Sequence, residues 1–326
     1  MKKIFIYNLL IISLIIFFLE VGLRIFSSLN ELGFDKNLFN LESDIKVHNK
    51  NIKSKVFGKK VFTESNGFRA PTENYTYNQA NNSTMIMGDS VSFGVGVLEE
   101  KTFVGLLRNR HANINFFNSS VSGNNVETYL ELLTIYNKNF NFDNVIIFYC
   151  INDIVQSKGV LTKKDFYKKN YTDFYKKNYI ASKINIFLRN KSLIYIYLKS
   201  IITDPEKRYY EYIAPSYKDE TSLFDLRKSI LAINKITLKK NKKLHFVILP
   251  YEYQTREKNC NDKYLFPQNK LNKILANNNI EYSDFSKDFC DYTSPKKLFL
   301  TYDPVHLSPI GHKFVFDLIQ KEKIIN

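Results

Sequence analysis

Two short stretches of this chain carry side chains that could do chemistry together. Gly88-Asp89-Ser90 follows a short apolar run, Ser83 to Met87. A helix or helical turn starting there leaves unpaired backbone N–H groups, so a serine at this place is both exposed and close to positive dipoles. Far downstream, Asp303-Pro304-Val305-His306 precedes the last helical stretch. A spacing of three lets the carboxylate accept a hydrogen bond from one ring N–H of the histidine, which fixes its tautomer and stabilises the imidazolium. The other ring nitrogen is then free to take a proton from a serine. Each piece alone also has a plain structural reading: Gly-Asp-Ser as a cap or turn, and Asp-x-x-His as a capped helix start with a surface histidine. A Gly-x-Ser-x-Gly elbow is absent around Ser90.

The elements that must position these residues alternate along the chain. Ser83 to Met87, Ile114 to Phe117, Val145 to Cys150, Leu244 to Leu249 and Ile280 to Phe285 are apolar runs of strand length. Val145 to Cys150 is continuously apolar, as a strand covered on both faces should be. Between the runs, Phe103, Leu106 and Leu107, then Val126, Leu130 and Leu133, then Leu223, Leu226, Ile230 and Ile233, and finally Leu271, Ile274 and Leu275 recur at helical spacing. The last helix has Ser308 as cap and Pro309 in its first turn, and buries Phe314, Val315, Leu318 and Ile319. This alternation predicts a mostly parallel sheet with helices on both faces. Right-handed crossovers put the loops after the strands on one edge, where ligands bind. One stretch breaks the rhythm: about residues 155 to 217 are rich in Lys and Tyr, and Asp165 to Tyr171 is repeated as Asp173 to Tyr179. It reads as an insertion, either a solvated surface or a basic aromatic face for anionic lipid or glycan.

The motifs occur as ordered blocks: Met87-Gly88-Asp89-Ser90, Ser122-Gly123-Asn124, Ile151-Asn152-Asp153, and Asp303-Pro304-Val305-His306 followed by Gly311-His312. On these blocks, over about residues 61 to 320, the chain resembles the SGNH hydrolases, the GDSL lipase and esterase superfamily. Ser65-Asn66-Gly67-Phe68-Arg69 and Phe93 to Val97 are similar to stretches of its membrane-anchored bacterial members. The resemblance implies a flavodoxin-like three-layer α/β/α sandwich. It also implies Ser90 as nucleophile, His306 as general base, Asp303 as its orienting partner, and an oxyanion hole from the N–H groups of Ser90 and Gly123 and the side-chain amide of Asn152. A hydroxyl needs such a base to become a good nucleophile, glycine lets the backbone approach the substrate oxygen, and a neutral amide can donate to developing negative charge. One departure from the family is Cys150, where glycine usually stands two residues before the Asn. The implied activity is that of a serine esterase or acylhydrolase working through an acyl-enzyme on O-acyl groups of envelope glycans or lipids. An O-acyltransferase to a glycan hydroxyl shares the same residues, and a non-catalytic glycan-binding or assembly subunit is the rival of another class. The intact Ser90, Asp303 and His306 argue against the last.

Composition bounds the rest. The chain has 326 residues, 44% hydrophobic and 24% charged, which suits a globular protein with a large core. Its formal charge of +15 is mostly scattered Lys, with no zinc-finger, RNA-recognition or basic-zipper spacing, so no nucleic-acid partner is expected. Five histidines without ligand spacing and no Gly-rich phosphate loop point to neither metal nor cofactor. Ile4 to Leu19 is apolar except for Asn8 and Ser13, and Val21 to Phe26 continues the run past Glu20. That is long enough to cross a bilayer if Glu20 and Arg24 lie in the far interface. No small-x-small cleavage site follows, so residues 1–28 read as a signal anchor, a single transmembrane helix, rather than a cleaved signal peptide. Lys2 and Lys3 put the amino terminus in the cytoplasm and the hydrolase domain, residues 81–326, on the periplasmic or outer side. Residues 29–80, polar and poor in period, read as a juxtamembrane stalk and lead-in. In such a compartment Cys260 and Cys290, which flank Leu271 to Phe285, can pair, leaving Cys150 free and buried.

Overall fold

In a computed structural model of the full chain, the described residues are 2–26, 33–40, 43, 45–155, 183–185, 187–188, 191–301, 303 and 305–325. The chain divides into two compact units, Met1–Gly33 with Leu161–Pro205, and Phe34–Val160 with Glu206–Asn326. The repeated Lys/Tyr-rich heptads lie outside the described residues.

The larger unit is built on one eight-stranded sheet in the order β1-β2-β3-β5-β4-β6-β7-β8. Its strands are β1 (Lys53–Val56), β2 (Lys59–Thr63), β3 (Arg69–Ala70), β4 (Asn82–Gly88), β5 (Ile114–Asn118), β6 (Asn144–Cys150), β7 (Lys243–Leu249) and β8 (Glu281–Asp284). From β5 to β8 every pairing is parallel, as the continuous apolar runs predict. This half has the order second, first, third, fourth, fifth, which is the flavodoxin-like arrangement with its switch point between β4 and β6. The fold is therefore the mostly parallel α/β arrangement that the sequence predicts.

Two helices precede the larger unit's main connections: α1 (Lys2–Phe26), in the smaller unit, and the single turn α2 (Ser90–Phe93). Next come α3 (Phe103–Arg110), capped by the Thr102 hydroxyl on Gly105 N–H, and α4 (Val126–Asn139), capped by the Asn125 side chain on Glu127 and Thr128 N–H. They are followed by α5 (Leu193–Ile202), α6 (Pro205–Ile213), α7 (Glu220–Lys239), α8 (Glu252–Thr255), α9 (Asp262–Ala276), α10 (Ser286–Asp291) and α11 (Pro309–Lys321). α4 packs on α7, and α3 packs on α11. Between these layers Ile86, Ile147, Phe148, Phe246 and Val247 are fully buried with Leu133, Ile230 and Val315. Ser308 caps α11 through Gly311 N–H and Pro309 fills its first turn. Gly311 is needed for packing, because a Cβ there would stand 1.9 Å from the Leu298 carbonyl oxygen.

Two segments differ from their sequence reading. Residues expected as a polar stalk instead form β1 to β3, an antiparallel extension that reaches the parallel sheet through Arg69 and Asn118. In β1 the buried positions are Ser54 and Val56 between exposed lysines, so the alternation is real but is carried by residues of low hydrophobicity. Leu38, Val56, Val61, Phe93 and Val95 form a second buried cluster beneath them. The end of the expected insertion is also core: Tyr210, Ile213 and Tyr217 are buried, and the Tyr217 hydroxyl meets that of Tyr149 at 2.7 Å. Their lysine neighbours gave these aromatics a solvated appearance in the sequence.

In the smaller unit, α1 presents its apolar side chains from Ile4 to Leu19 outward, and Lys3–Ile25 has a mean hydropathy of 2.5. By length and composition it can cross a bilayer. Near its end the Glu20 carboxylate accepts hydrogen bonds from the Leu193 and Ile194 N–H groups at 2.9 and 3.1 Å and from the Ser192 hydroxyl at 3.0 Å. Arg24 donates to the same carboxylate at 2.7 Å. A charge at the end of an apolar helix is thereby met by the first turn of α5, where unpaired donors collect.

Cys260 and Cys290 are disulfide-bonded across 30 residues, joining the approach to α9 with α10. Cys150 is free and buried. Replacing both bonded cysteines by Ala should lower the unfolding free energy by about 3 kcal/mol through the lost loop constraint. The check is a lower denaturant midpoint, reproduced in the wild type by reductant, with no further drop when the variant is treated with reductant; equal midpoints would refute it.

Candidate active site

Ser90 opens α2 directly after β4, and Asp89 is the cap of that turn. Gly88, with φ +156, closes β4 where a Cβ would collide with the Ser92 hydroxyl and the Phe148 carbonyl. The Asp89 carboxylate is buried and fully engaged: Oδ1 accepts from Val91 N–H at 2.8 Å, while Oδ2 accepts from Asn152 Nδ2 at 2.8 Å and from the Ser90 hydroxyl at 3.3 Å. Asn152 sits in the turn after β6, so this carboxylate joins the ends of the two strands at the switch point of the sheet.

The turn after Ser90 is held from below. The buried Arg69 guanidinium donates to the carbonyls of Phe93, of Gly94 at 2.7 Å and of Val97 at 2.6 Å. The Gly67-Phe68-Arg69 and Phe93 to Val97 stretches of the sequence are thus the two halves of one clamp. Gly123 lies in the turn after β5 with φ +82, a left-handed conformation that favours glycine. Two residues earlier, Val121 N–H donates to the Gly88 carbonyl at 3.1 Å and fixes that turn to the end of β4. Among the described residues neither Ser90 N–H nor Gly123 N–H has a hydrogen-bond partner.

The histidine block has the geometry its spacing predicts. Asp303 Oδ1 accepts from the N–H groups of Val305 and His306 at 2.9 and 2.8 Å, and Oδ2 meets His306 Nδ1 at 2.6 Å. His306 Nε2 is buried and has no hydrogen-bond partner among the described residues. Burial works against a charged imidazole here, but the Asp303 charge and hydrogen bond, with a further contribution from Asp89, outweigh it and raise the His306 pKa above its ordinary value. Burial likewise opposes the Asp303 charge, and His306 with the two N–H donors overcomes it, so the Asp303 pKa is lowered. The influence of Asp89 on His306 brings the serine block and the histidine block into one electrostatic neighbourhood. The structure shows the Ser90 hydroxyl turned to Asp89 rather than to His306. Hydrogen bonds between a nucleophile and its base commonly tighten only with substrate in place.

Cys150 is extended, with φ −107 and ψ 158, and packed in the core. No glycine is required at that backbone angle, and Asn152 still reaches Asp89. Burial raises the Cys150 thiol pKa well above its ordinary value, with Asp89 and Asp153 adding to it. His312 is a packing residue: it is fully buried, and its Nδ1 accepts from Phe103 N–H at 3.2 Å. Burial, with Arg69 and His306 nearby, pushes its pKa down to about 3, so it stays neutral. Among the described residues no group of His, Cys, Asp and Glu could hold a metal ion. The main concavities, one lined by Tyr75, Arg108 and Asn115 and another beside the disulfide, contain none of the site residues.

Two residues of the site escaped the sequence reading. The fully buried Tyr251 donates its hydroxyl to Asn152 Oδ1 at 2.6 Å, and the Tyr209 ring packs tilted against Tyr251 at 5.5 Å between ring centroids. Burial first, then Asp89, with Asp153 and Asp303 contributing, raises the Tyr209 pKa, which places its ring among the same carboxylates. Tyr251 lies just past Pro250, at the carboxyl end of β7, and that position was the available signal. His306 should titrate above 6.5 when followed by the NMR shifts of its ring, and Asp303→Asn should move the titration downward. An unchanged titration in that variant would contradict the pairing.

With the geometry in place, the chain can be set beside known proteins. TesA superposes at a TM-score of 0.44 with 13% identity, over 74% of this chain and 97% of that one. The psychrotrophic esterase EstA from Pseudoalteromonas sp., in a structure inhibited by monoethylphosphonate, gives 0.43 and 15% over 74% and 96%. The acetyl xylan esterase AlAXEase gives 0.44 and 18% over 74% and 98%. No curated protein sequence matches. Residues 85–319 match the family described as GDSL-like Lipase/Acylhydrolase. Because that match runs unbroken from the serine turn into the last helix, the chain belongs to the GDSL-like lipase/acylhydrolase family.

Proposed function

We propose that the protein is a membrane-anchored serine esterase whose acyl-enzyme forms on Ser90. Membership of an acylhydrolase family supports ester hydrolysis. The observation that carries the serine mechanism is the Asp303–His306 pair with Nε2 left free. Ser90 Oγ attacks the ester carbonyl as His306 Nε2 takes the hydroxyl proton. Asp303 holds the ring and offsets the positive charge that develops on it. The oxyanion is met by the N–H groups of Ser90 and Gly123 and by the second N–H of Asn152 Nδ2, the first being held by Asp89. His306 then returns its proton to the leaving alkoxide, and water, activated by the same base, releases the acid and restores Ser90.

Tyr251 acts as a positioning residue in this scheme. Its hydroxyl holds the Asn152 carbonyl oxygen, which turns the amide N–H groups toward Asp89 and the substrate side. The apolar helix α1 serves as the anchor, with Lys2 and Lys3 in the cytoplasm. The disulfide supports a catalytic domain in an oxidising compartment outside it. O-acyl groups of envelope glycans or lipids are then the substrates at hand.

A fluorophosphonate probe should label the purified protein, and Ser90→Ala should abolish both labelling and acetate release from O-acetylated glycan; labelling that persists in the variant would sink the mechanism. Asn152→Ala should lower kcat by a factor on the order of 10² to 10³ with little change in KM. Tyr251→Phe should lower kcat by about tenfold, again at constant KM, because the amide survives but is less well oriented. A change confined to KM in either variant would remove that residue from the oxyanion side.

A further inference from the structure

Residues 34–70 precede the family match, which begins at residue 85, yet they supply side chains at the reaction centre. On the base side, the Phe57 ring stands edge-on to His306 at 5.7 Å between centroids. Phe57 and Gly58 form the two-residue turn between β1 and β2, with φ +47 and +72. Turns of this kind favour Asn-Gly, because both central residues take left-handed angles. A bulky aromatic is strained there, and its ring covers the proposed base.

On the oxyanion side stands Lys46. Its carbonyl accepts a hydrogen bond from Asn124 Nδ2 at 3.2 Å, which ties the segment to the residue after Gly123. The ammonium reaches back over Phe39, 4.6 Å from the ring centroid. It lies 3.0 Å from the place a Cβ would occupy on Gly123. Lys46 is exposed, and among the described residues it has no carboxylate partner. An ammonium normally extends into water; this one is directed to the turn that carries a proposed oxyanion donor.

We infer that Lys46 binds an anionic substituent of the substrate beside the ester, so that O-acylated acidic glycans, with a carboxylate close to the acylated hydroxyl, are the preferred class. This deepens the serine-esterase reading and rests on it. A neutral ester gives the cation nothing to pair with, whereas a sugar carboxylate on the Gly123 side forms a charge-assisted hydrogen bond. The bond is made alike in the bound substrate and in the transition state, so its effect belongs in KM.

The test uses the full chain in detergent with two probes, the methyl glycosides of mono-O-acetyl glucuronate and mono-O-acetyl glucose. Acetate release gives the rates, and protection of Ser90 from the fluorophosphonate probe gives binding where turnover is slow. The glucuronate ester should be preferred about fivefold in kcat/KM, through KM, at low salt. The preference should shrink as ionic strength rises, vanish in Lys46→Gln, and survive in Lys46→Arg, with the glucose ester changed less than about twofold throughout. Equal use of the two esters by protein that labels at Ser90 would overturn this inference alone. An equal fall in kcat for both esters in Lys46→Gln would do the same, since the ammonium would then be serving the oxyanion. Absence of labelling would overturn the esterase reading, and this inference with it.

Discussion

One buried carboxylate organises the site. Asp89 holds the first turn after β4 through Val91 N–H, the serine hydroxyl through one oxygen, and the Asn152 amide across the neighbouring strand end through the same oxygen. Three groups from two separate turns are thereby referred to a single charge. A buried carboxylate left short of partners would be costly, so the arrangement is held on both sides. The turns cannot drift apart without uncovering the charge, and the charge cannot turn without releasing them.

Such an interaction is available only because of strand order. β4 and β6 are sheet neighbours although β5 lies between them in the chain, and connections leave them toward opposite faces, which makes their carboxyl ends a switch point of the sheet. Arg69 then braces the turn after β4. It comes from β3, outside the parallel half of the sheet, and binds the carbonyls that follow the serine turn. The antiparallel extension therefore braces the turn after Ser90 as well as forming an edge of the sheet. Tyr251 from the end of β7 closes the other flank, so contributions from four strand ends converge.

Much of this was legible in the chain. Val145 to Cys150 and Leu244 to Leu249 read as covered strands, and the spacing of three between Asp303 and His306 suited a bond to one ring nitrogen. The parts that were missed have physical reasons. β1 and β2 bury Ser54, Val56, Val61 and Thr63 between lysines, so their alternation is faint on any scale that counts only large apolar side chains. Tyr251 follows a proline that ends its strand and has no local pattern to mark it. Lys46 and Phe57 matter through what the fold sets beside them, and nothing within ten residues of either names Gly123 or His306.

The contact of Glu20 with α5 gives α1 a task beyond length and apolarity. Here the carboxylate near the end of α1 supplies the acceptors for the Leu193 and Ile194 N–H groups. A version trimmed to begin at Phe34 would keep Ser90, Asp303 and His306 but leave those donors bare, so removing α1 and preserving the smaller unit are incompatible aims. Exchanging α1 for an unrelated apolar helix would succeed only if an acid were carried over at the place of Glu20.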